Sequence, residues 1–274
     1  METESNLLDQ ETAEILRTVI DEAPDTLFVV NPSRDAIEEL ITVATEYEGD
    51  LPELRMFAQS GTLKDVMEDF IVASNAADLI DAGSLSLRTT DEVPSNSLLV
   101  TEEVVIALVT ADDRVGGLTA DDSEFVSEAY DSYSERFESA DEFSLRTPPL
   151  TRVRDTLGDE ISGDAQHDFD EVLSSMETAR GDGDGLDEVT ISLLVAAKNE
   201  ALLYDISKWG EDVGIASKAT FSRTKTKLED MGLIGTEKVP IDVGRPRLRL
   251  KLANDDLRNA ETDQLASAAQ SLLN

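Results

Sequence analysis

Residues 205–252, DISKWGEDVGIASKATFSRTKTKLEDMGLIGTEKVPIDVGRPRLRLKL, decide the fold of the last third of this chain and reverse the charge of its surroundings. Positions 217–251 contain nine basic and four acidic residues, which gives a net charge of +5, whereas the rest of the chain has a net charge of −41. Clustered Lys and Arg are typical of surfaces that bind phosphate groups. The stretch therefore indicates a nucleic-acid-binding surface within a very acidic protein.

The predicted elements of this stretch follow the order of a winged helix-turn-helix. A short helix is ended by Gly214, which tolerates the positive φ of a tight turn. A second helix begins after Ser217, a favourable N-cap, and stops at Gly232. Two antiparallel strands are predicted over 233–239 and 247–252, and the PIDVGRP between them suits the tip of a wing. A small α+β domain whose basic face is merely solvated is the alternative.

The second helix is predicted to lie in the major groove of double-stranded DNA. Phe221 and Leu228 mark its buried face, and the opposite face is polar and cationic. In the second strand the basic residues alternate with leucines, so one face of the wing is cationic and suited to phosphates or a minor groove. The predicted DNA-binding residues are Ser217, Lys218, Ala219, Thr220, Ser222, Arg223, Thr226, Lys227, Arg245, Arg247 and Arg249.

Two resemblances support this interpretation. The segment ATFSRTKTKLEDMGLI, residues 219–234, resembles the recognition helix and first strand of many archaeal and bacterial winged-helix regulators, with a Ser/Thr-rich start, an Arg and a Leu-Glu-x-x-Gly-Leu-Ile close. The whole chain, with its acidic α/β first half and its GRPRLRLKL wing, is similar to the haloarchaeal TbsP-type transcriptional regulators. That similarity implies control of metabolic genes at a promoter. Repression is the expected outcome, and activation stays open.

The composition of the whole chain predicts a protein adapted to concentrated salt. Its 274 residues carry a net charge of −36, and only 5% of them are aromatic. At molar salt the Debye length falls to about 3 Å, so the repulsion between surface carboxylates is screened. We interpret this as a halophilic cytoplasm, with an acidic chaperone-like or cation-binding protein as the alternative. The acidic N-terminus and the lack of a long apolar run predict a cytoplasmic protein that does not enter a membrane.

Three parts are predicted along the chain. Residues 1–146 alternate strand and helix patterns, beginning with an amphipathic helix over 7–22, and predict an α/β regulatory domain with a mainly parallel sheet. Among the predicted helices is one that Thr62 can cap and that carries apolar residues from Leu63 to Ile71. Residues 147–185 are predicted to be an acidic helical connector that ends in a flexible RGDGDG joint. Residues 186–274 are predicted to form an α+β winged helix-turn-helix domain with a C-terminal helix. The order of elements in the first part resembles the phospholipase-D-like effector domain of TrmB-type archaeal regulators.

Enzyme chemistry has little support in the sequence. His167 is the only histidine, so a Ser-His-Asp triad, a paired-histidine phosphodiesterase or a histidine-ligated metal site lacks a necessary residue. Phosphate-binding and dinucleotide-binding glycine motifs are absent, and GDGDG lacks the ligand spacing of a calcium loop. We therefore predict a protein that is no enzyme and needs no cofactor or metal, with His167 as a surface residue.

A set of polar residues follows two predicted strands of the first part. In parallel α/β sheets ligands bind outside the carboxyl ends of the strands, where helix N-termini attract anions. A sugar or a phosphorylated metabolite would suit these side chains, and ordinary caps and turns are the simpler explanation. The candidate effector-binding residues are Asn31, Ser33, Arg34, Gln59, Ser60 and Thr62.

The predicted partners are double-stranded promoter DNA, a second copy of this chain and a small-molecule metabolite effector. A homodimer is expected because one recognition helix covers only a half-site. The apolar stripe of the C-terminal helix suits either a dimer seam or packing on its own domain. The competing hypothesis is a protein-interaction module whose winged helix binds other proteins of the transcription machinery.

Overall fold

The computed structural model describes residues 7–90, 96–111, 114–180, 186–240 and 246–273, and the side chains of all of these except Leu7–Gln10. The chain divides into two units. Unit 1 comprises Met1–Glu68 and Asn75–Leu145, and unit 2 comprises Asp69–Ser74 and Arg146–Asn274. Each unit has its own secondary structure and is described by itself.

Unit 1 is built on an eight-stranded mixed sheet in the order β1-β7-β6-β5-β2-β3-β4-β8. The helix-linked strands β2, β3 and β4 run parallel, as their alternation with helices predicts, and the neighbouring pairs outside them are antiparallel. The strands are β1 (Leu7–Gln10), β2 (Thr26–Val30), β3 (Glu53–Ala58), β4 (Leu85–Thr89), β5 (Ser97–Val100), β6 (Val105–Ala111), β7 (Arg114–Ala120) and β8 (Asp141–Glu142).

Among the described residues, five helices alternate with or follow these strands. Four of them lie within unit 1, and α4 begins in the segment Asp69–Ser74, which is assigned to unit 2. Ser33 caps α2 and Asp122 caps α5, each by accepting a backbone N–H of the first turn. On one face of the sheet the α5 residues Val126 and Phe137 pack against Phe28. The helices are α1 (Thr12–Glu22), α2 (Arg34–Glu46), α3 (Ser60–Val66), α4 (Phe70–Asp81) and α5 (Ser123–Ser139).

Two element predictions in this region are wrong in detail. The helix expected over 7–22 begins only at Thr12, because Leu7–Gln10 form β1 and pair antiparallel with β7, a strand that was not predicted. Pairing along a sheet edge outweighs the local helix preference of those four residues. The helix expected from Thr62 is two helices, since Asp69 accepts the N–H groups of Ile71 and Val72 and so starts α4 anew.

Unit 2 contains the helices and strands of the predicted winged helix-turn-helix in the predicted order. The β9–β10 hairpin is antiparallel, and a bridge between Leu202 and Arg249 adds a third chain segment to it. The elements are α6 (Leu150–Glu160), α7 (Gly163–Ser174), α8 (Glu188–Lys198), α9 (Leu203–Val213), α10 (Lys218–Asp230), β9 (Ile234–Val239), β10 (Arg247–Leu252), α11 (Asp255–Asn259), a 3₁₀ helix (Thr262–Gln264) and α12 (Leu265–Leu273).

Helices α6 and α7, predicted as parts of a connector, contribute to the core of unit 2. Val153 and Phe169 are fully buried in the same apolar cluster as α8. The indole Nε1 of Trp209 donates to Thr156 Oγ1 at 2.9 Å, which links α9 to α6. The many carboxylates of this segment obscure an apolar stripe at helical spacing, and that stripe determines where the two helices pack. Residues 181–185, most of the predicted joint, lie outside the described residues.

The C-terminal apolar stripe packs on its own unit, one of the two predicted arrangements. It is divided between α11 and α12, and Leu257, Leu265 and Ala269 are buried in the unit 2 core. Lys198 Nζ lies 2.5 Å from Asp168 Oδ1 within this unit.

Within the described ranges, no helix combines the length and the apolar character that crossing a bilayer requires.

Candidate nucleic-acid interface

The turn between α9 and α10 is set by two residues whose roles the sequence predicts. Gly214 ends α9 with φ +100°, a left-handed conformation that strains residues with a side chain. Ser217 caps α10, and its Oγ accepts the N–H of Thr220 at 3.2 Å. The two caps fix where the recognition helix begins and how its faces are turned.

A close crossing of α9 and α10 holds the recognition helix in place. Phe221 and Leu228 of α10 are buried. A Cβ built on Gly210 would lie 2.3 Å from both Cε2 and Cζ of Phe221, so only glycine leaves room for this ring. The role of Gly210 is not predicted by the sequence, because a glycine within a helix pattern does not indicate which ring from another helix packs on it.

The predicted groove-facing residues lie on the exposed side of α10, opposite its buried face. Arg223 Nη2 lies 3.4 Å from Thr220 Oγ1, and neither Arg223 nor Lys227 forms an ion pair with a described residue. Lys218 and Thr220 are partly exposed, and the other members are exposed. We name this surface the α10 face; it consists of Ser217, Lys218, Ala219, Thr220, Ser222, Arg223, Thr226 and Lys227.

The wing strand β10 presents its cations less freely than the alternation suggests. The Arg247 guanidinium stacks over the Tyr204 ring at 4.6 Å from its centroid, and Arg247 Nη1 lies 3.2 Å from Asp205 Oδ1. Arg249 forms no ion pair with a described residue. Arg245 lies outside the described residues. Tyr204 is 51% exposed, and its contact with Arg247 is not predicted by the sequence.

Several basic residues of the stretch 217–251 form ion pairs with acidic residues of the same stretch or of α9. The hydrogen bond from Lys251 lowers the pKa of the Glu237 carboxyl below its ordinary value. Among the described residues, Arg223, Lys227, Lys238 and Arg249 keep their charges outside any ion pair. The pairs are Lys218–Glu211, Lys225–Glu229 and Lys251–Glu237, each at 2.6 Å, and Arg247–Asp205 at 3.2 Å.

The candidate effector residues of unit 1 come together at one edge of the sheet. Strands β2 and β3 are parallel neighbours, and Asn31 N donates to Phe57 O at 2.9 Å, so the carboxyl ends of both strands meet there. Asn31 has a positive φ of 45°. The residues that follow β2 are Asn31, Ser33 and Arg34, and those that follow β3 are Gln59, Ser60 and Thr62.

Local contacts account for part of this polar set. Ser33 Oγ accepts the N–H of Ala36 at 3.2 Å and so caps α2, while Gln59 stands at the N-cap of α3 without a side-chain hydrogen bond. Arg34 forms an exposed ion pair with Asp65 of α3. The simpler explanation by caps and turns therefore applies to Ser33 and Arg34.

The single histidine occupies a surface position, as predicted. His167 is 71% exposed on α7, and its Nε2 lies 3.3 Å from Glu171 Oε1, one helical turn away. The pair is an exposed i,i+4 contact.

Two family models match the chain, and together they cover nearly all of it. The N-terminal domain of TbsP-like transcriptional regulators matches residues 4–148, and the C-terminal helix-turn-helix domain of the same regulators matches residues 149–270. The chain belongs to the TbsP-like transcriptional regulators. The C-terminal match begins just before α6, so the helix-turn-helix domain of the TbsP-like family includes α6 and α7 as well as the winged helix.

Similar solved structures are distant from this TbsP-like chain. TrmBL2, described as an archaeal chromatin protein with a novel mode of DNA binding, is 14% identical, with a TM-score of 0.38 over 52% of this chain and 54% of its own. NucT from Helicobacter pylori is 13% identical, with a TM-score of 0.33 over 51% of this chain and 98% of its own. The TbsP-like chain thus spans about half the length of TrmBL2. No curated protein matches it significantly.

Proposed function

We propose that this TbsP-like protein is a sequence-specific DNA-binding regulator that controls metabolic promoters, by repression, in a halophilic archaeon. The α10 face reads base edges in the major groove, and Arg249 with the neighbouring wing cations holds phosphates. One observation carries the proposal: among the described residues Arg223 and Lys227 of α10 form no ion pair, whereas Lys218, Lys225 and Lys251 are each paired with a glutamate. A guanidinium left free on a recognition helix keeps its donors available for a base pair.

The experiment that tests this proposal is selection of a preferred duplex from a random-sequence pool by the full chain in molar KCl. A sequence-specific regulator enriches one sequence over successive rounds. A module that uses its winged helix to bind proteins of the transcription machinery enriches none, and that result would contradict the proposal in favour of its competitor.

We further propose that the protein binds DNA as a homodimer. A recognition helix of 13 residues reaches only a few base pairs, so tight binding to one site calls for two copies. The selected duplex should then contain two related half-sites about one helical turn, roughly 34–36 Å, apart. Light scattering in molar KCl that shows a monomer both with and without this duplex would contradict the dimer.

Unit 1 is proposed to be a regulatory domain that senses a sugar or a phosphorylated metabolite at the edge where β2 and β3 end. The support is the meeting of Asn31, Gln59, Ser60 and Thr62 at the carboxyl ends of parallel strands. Fluorescence-monitored unfolding in the presence of candidate metabolites tests it, because a ligand that binds the folded state raises the unfolding midpoint. A panel of neutral and phosphorylated sugars without any such shift would contradict this role.

The dependence of binding on salt is expected to be shallow for so basic a stretch. Each phosphate contact contributes about −0.9 to the slope of log affinity against log salt. The four cations of the stretch that form no ion pair among the described residues would give a slope of about −4, and all nine would give about −8. The three Lys–Glu pairs withhold their lysines from this count. Fluorescence anisotropy with the selected duplex over a KCl series measures the slope.

The matched variants for this prediction are Glu229→Gln and Glu237→Gln. Glu237→Gln frees Lys251, whose side chain is 43% exposed, and should steepen the slope by up to about one unit. Glu229→Gln frees Lys225, which is only 12% exposed and lies outside the α10 face, and should leave the slope nearly unchanged. A wild-type slope near −8 that neither substitution changes would show that the ion pairs do not limit the contacts with DNA.

A further inference from the structure

The side chain of Glu211, in the last turn of α9, lies against the first residue of the recognition helix. Its Oε2 is 2.6 Å from Lys218 Nζ, and its Oε1 accepts the backbone N–H of Lys218 at 3.2 Å. Both side chains are 43% exposed. The two carboxylate oxygens thus engage the charged group and the backbone amide of one residue of the α10 face.

The position of Glu211 is not explained by the stability of α9. An acid near the C-terminus of a helix faces the negative end of the helix dipole, which is unfavourable, and α9 has no basic residue in its last turn. The hydrogen bonds from Lys218 lower the pKa of the Glu211 carboxyl, so the group is held in its charged form. Glu211 therefore places a negative charge on a cation of the proposed DNA surface.

We propose that Glu211 is an autoinhibitory competitor of DNA, which occupies Lys218 until a backbone phosphate displaces it. The inference rests on the proposed function and deepens it. An ammonium group and a helix-start N–H are the donors that bind a phosphate oxygen in protein–DNA complexes, and the Glu211 carboxylate uses both. Displacement costs the same on every duplex, so Glu211 reduces sequence-independent affinity and leaves base preference unchanged.

The test compares Glu211→Gln with Asp212→Asn in the full chain. Both substitutions remove one negative charge at adjacent positions, but Asp212 pairs with Lys208 of its own helix at 2.5 Å. Glu211→Gln should bind the selected duplex and a scrambled duplex about fivefold more tightly, the upper range for one exposed ion pair. Asp212→Asn should gain less than about twofold. In a Lys218→Met background the extra gain of Glu211→Gln should disappear.

The outcomes separate this inference from the proposed function. Equal gains for Glu211→Gln and Asp212→Asn would overturn it, because net charge alone would then explain the effect. Weaker binding by Glu211→Gln, with the fluorescence of Trp209 unchanged, would also overturn it and would show that Glu211 orients Lys218 toward DNA. Binding of DNA by neither the wild-type chain nor the variants would reject the proposed function together with this inference.

Discussion

Replacing Gly210 by alanine is expected to destabilise unit 2 by about 3 kcal/mol, since the added methyl overpacks a closed core. The new Cβ would lie 2.3 Å from two ring atoms of Phe221, which is fully buried. Alanine favours a helix over glycine by only about 1 kcal/mol, so the clash outweighs the gain in helix propensity. Relief would require α9 and α10 to separate, and the α10 face would lose its orientation.

The measurement is urea-induced unfolding in molar KCl followed by fluorescence. Trp209 is the only tryptophan of the chain, is fully buried and precedes Gly210, so its emission reports on this crossing. Gly235→Ala is the matched control, because the nearest side-chain atom to its added Cβ is 3.8 Å away, an ordinary contact. A Gly210→Ala variant as stable as the wild type would contradict the close crossing of the two helices.

Replacing Arg223 by alanine is expected to weaken binding to the selected duplex by about 1 to 3 kcal/mol, the range for one bidentate base contact. Apart from Thr220 Oγ1 at 3.4 Å, the Arg223 guanidinium has no protein partner among the described residues. Its loss therefore removes a contact with DNA and leaves no buried group unsatisfied. Binding to a scrambled duplex should fall much less, so the preference between duplexes shrinks.

Lys238→Ala provides the matched control for Arg223→Ala. Lys238 is also exposed and forms no ion pair with a described residue, but it lies on β9 and is no member of the α10 face, so its loss should weaken binding to the selected and scrambled duplexes by similar factors. Anisotropy titrations of both duplexes measure the two effects. An Arg223→Ala variant that keeps the wild-type preference, with unchanged unfolding, would show that Arg223 reads no base.

Local rules predict the recognition helix well. Ser217, Gly214 and Gly232 set its start, the turn before it and its end through capping chemistry that depends on a few neighbouring residues. The alternation of charge in β10 predicts that strand within the same few residues. Elements whose determinants lie close together in the chain can be derived from the sequence alone.

Pairings between distant residues could not be predicted in this way. Nothing near Leu7 indicates that it joins β7 across more than a hundred residues, and an acidic composition concealed the apolar stripes of α6 and α7. The same limit applies within the candidate interface. Arg247 stacks on Tyr204, and Glu211 forms an ion pair with Lys218. Both contacts depend on how two secondary-structure elements pack against each other, and the spacing of residues along the chain does not specify that packing.

Contact between the α10 face and the DNA bases can be tested with a site-specific photo-crosslink. A photoreactive side chain at Ser222, exposed on α10, should crosslink to the selected duplex in molar KCl. The same group at Ser267, exposed on α12, should not crosslink. Crosslinks from Ser267 alone, or from neither position while the duplex remains bound, would show that the α10 face does not contact the bases.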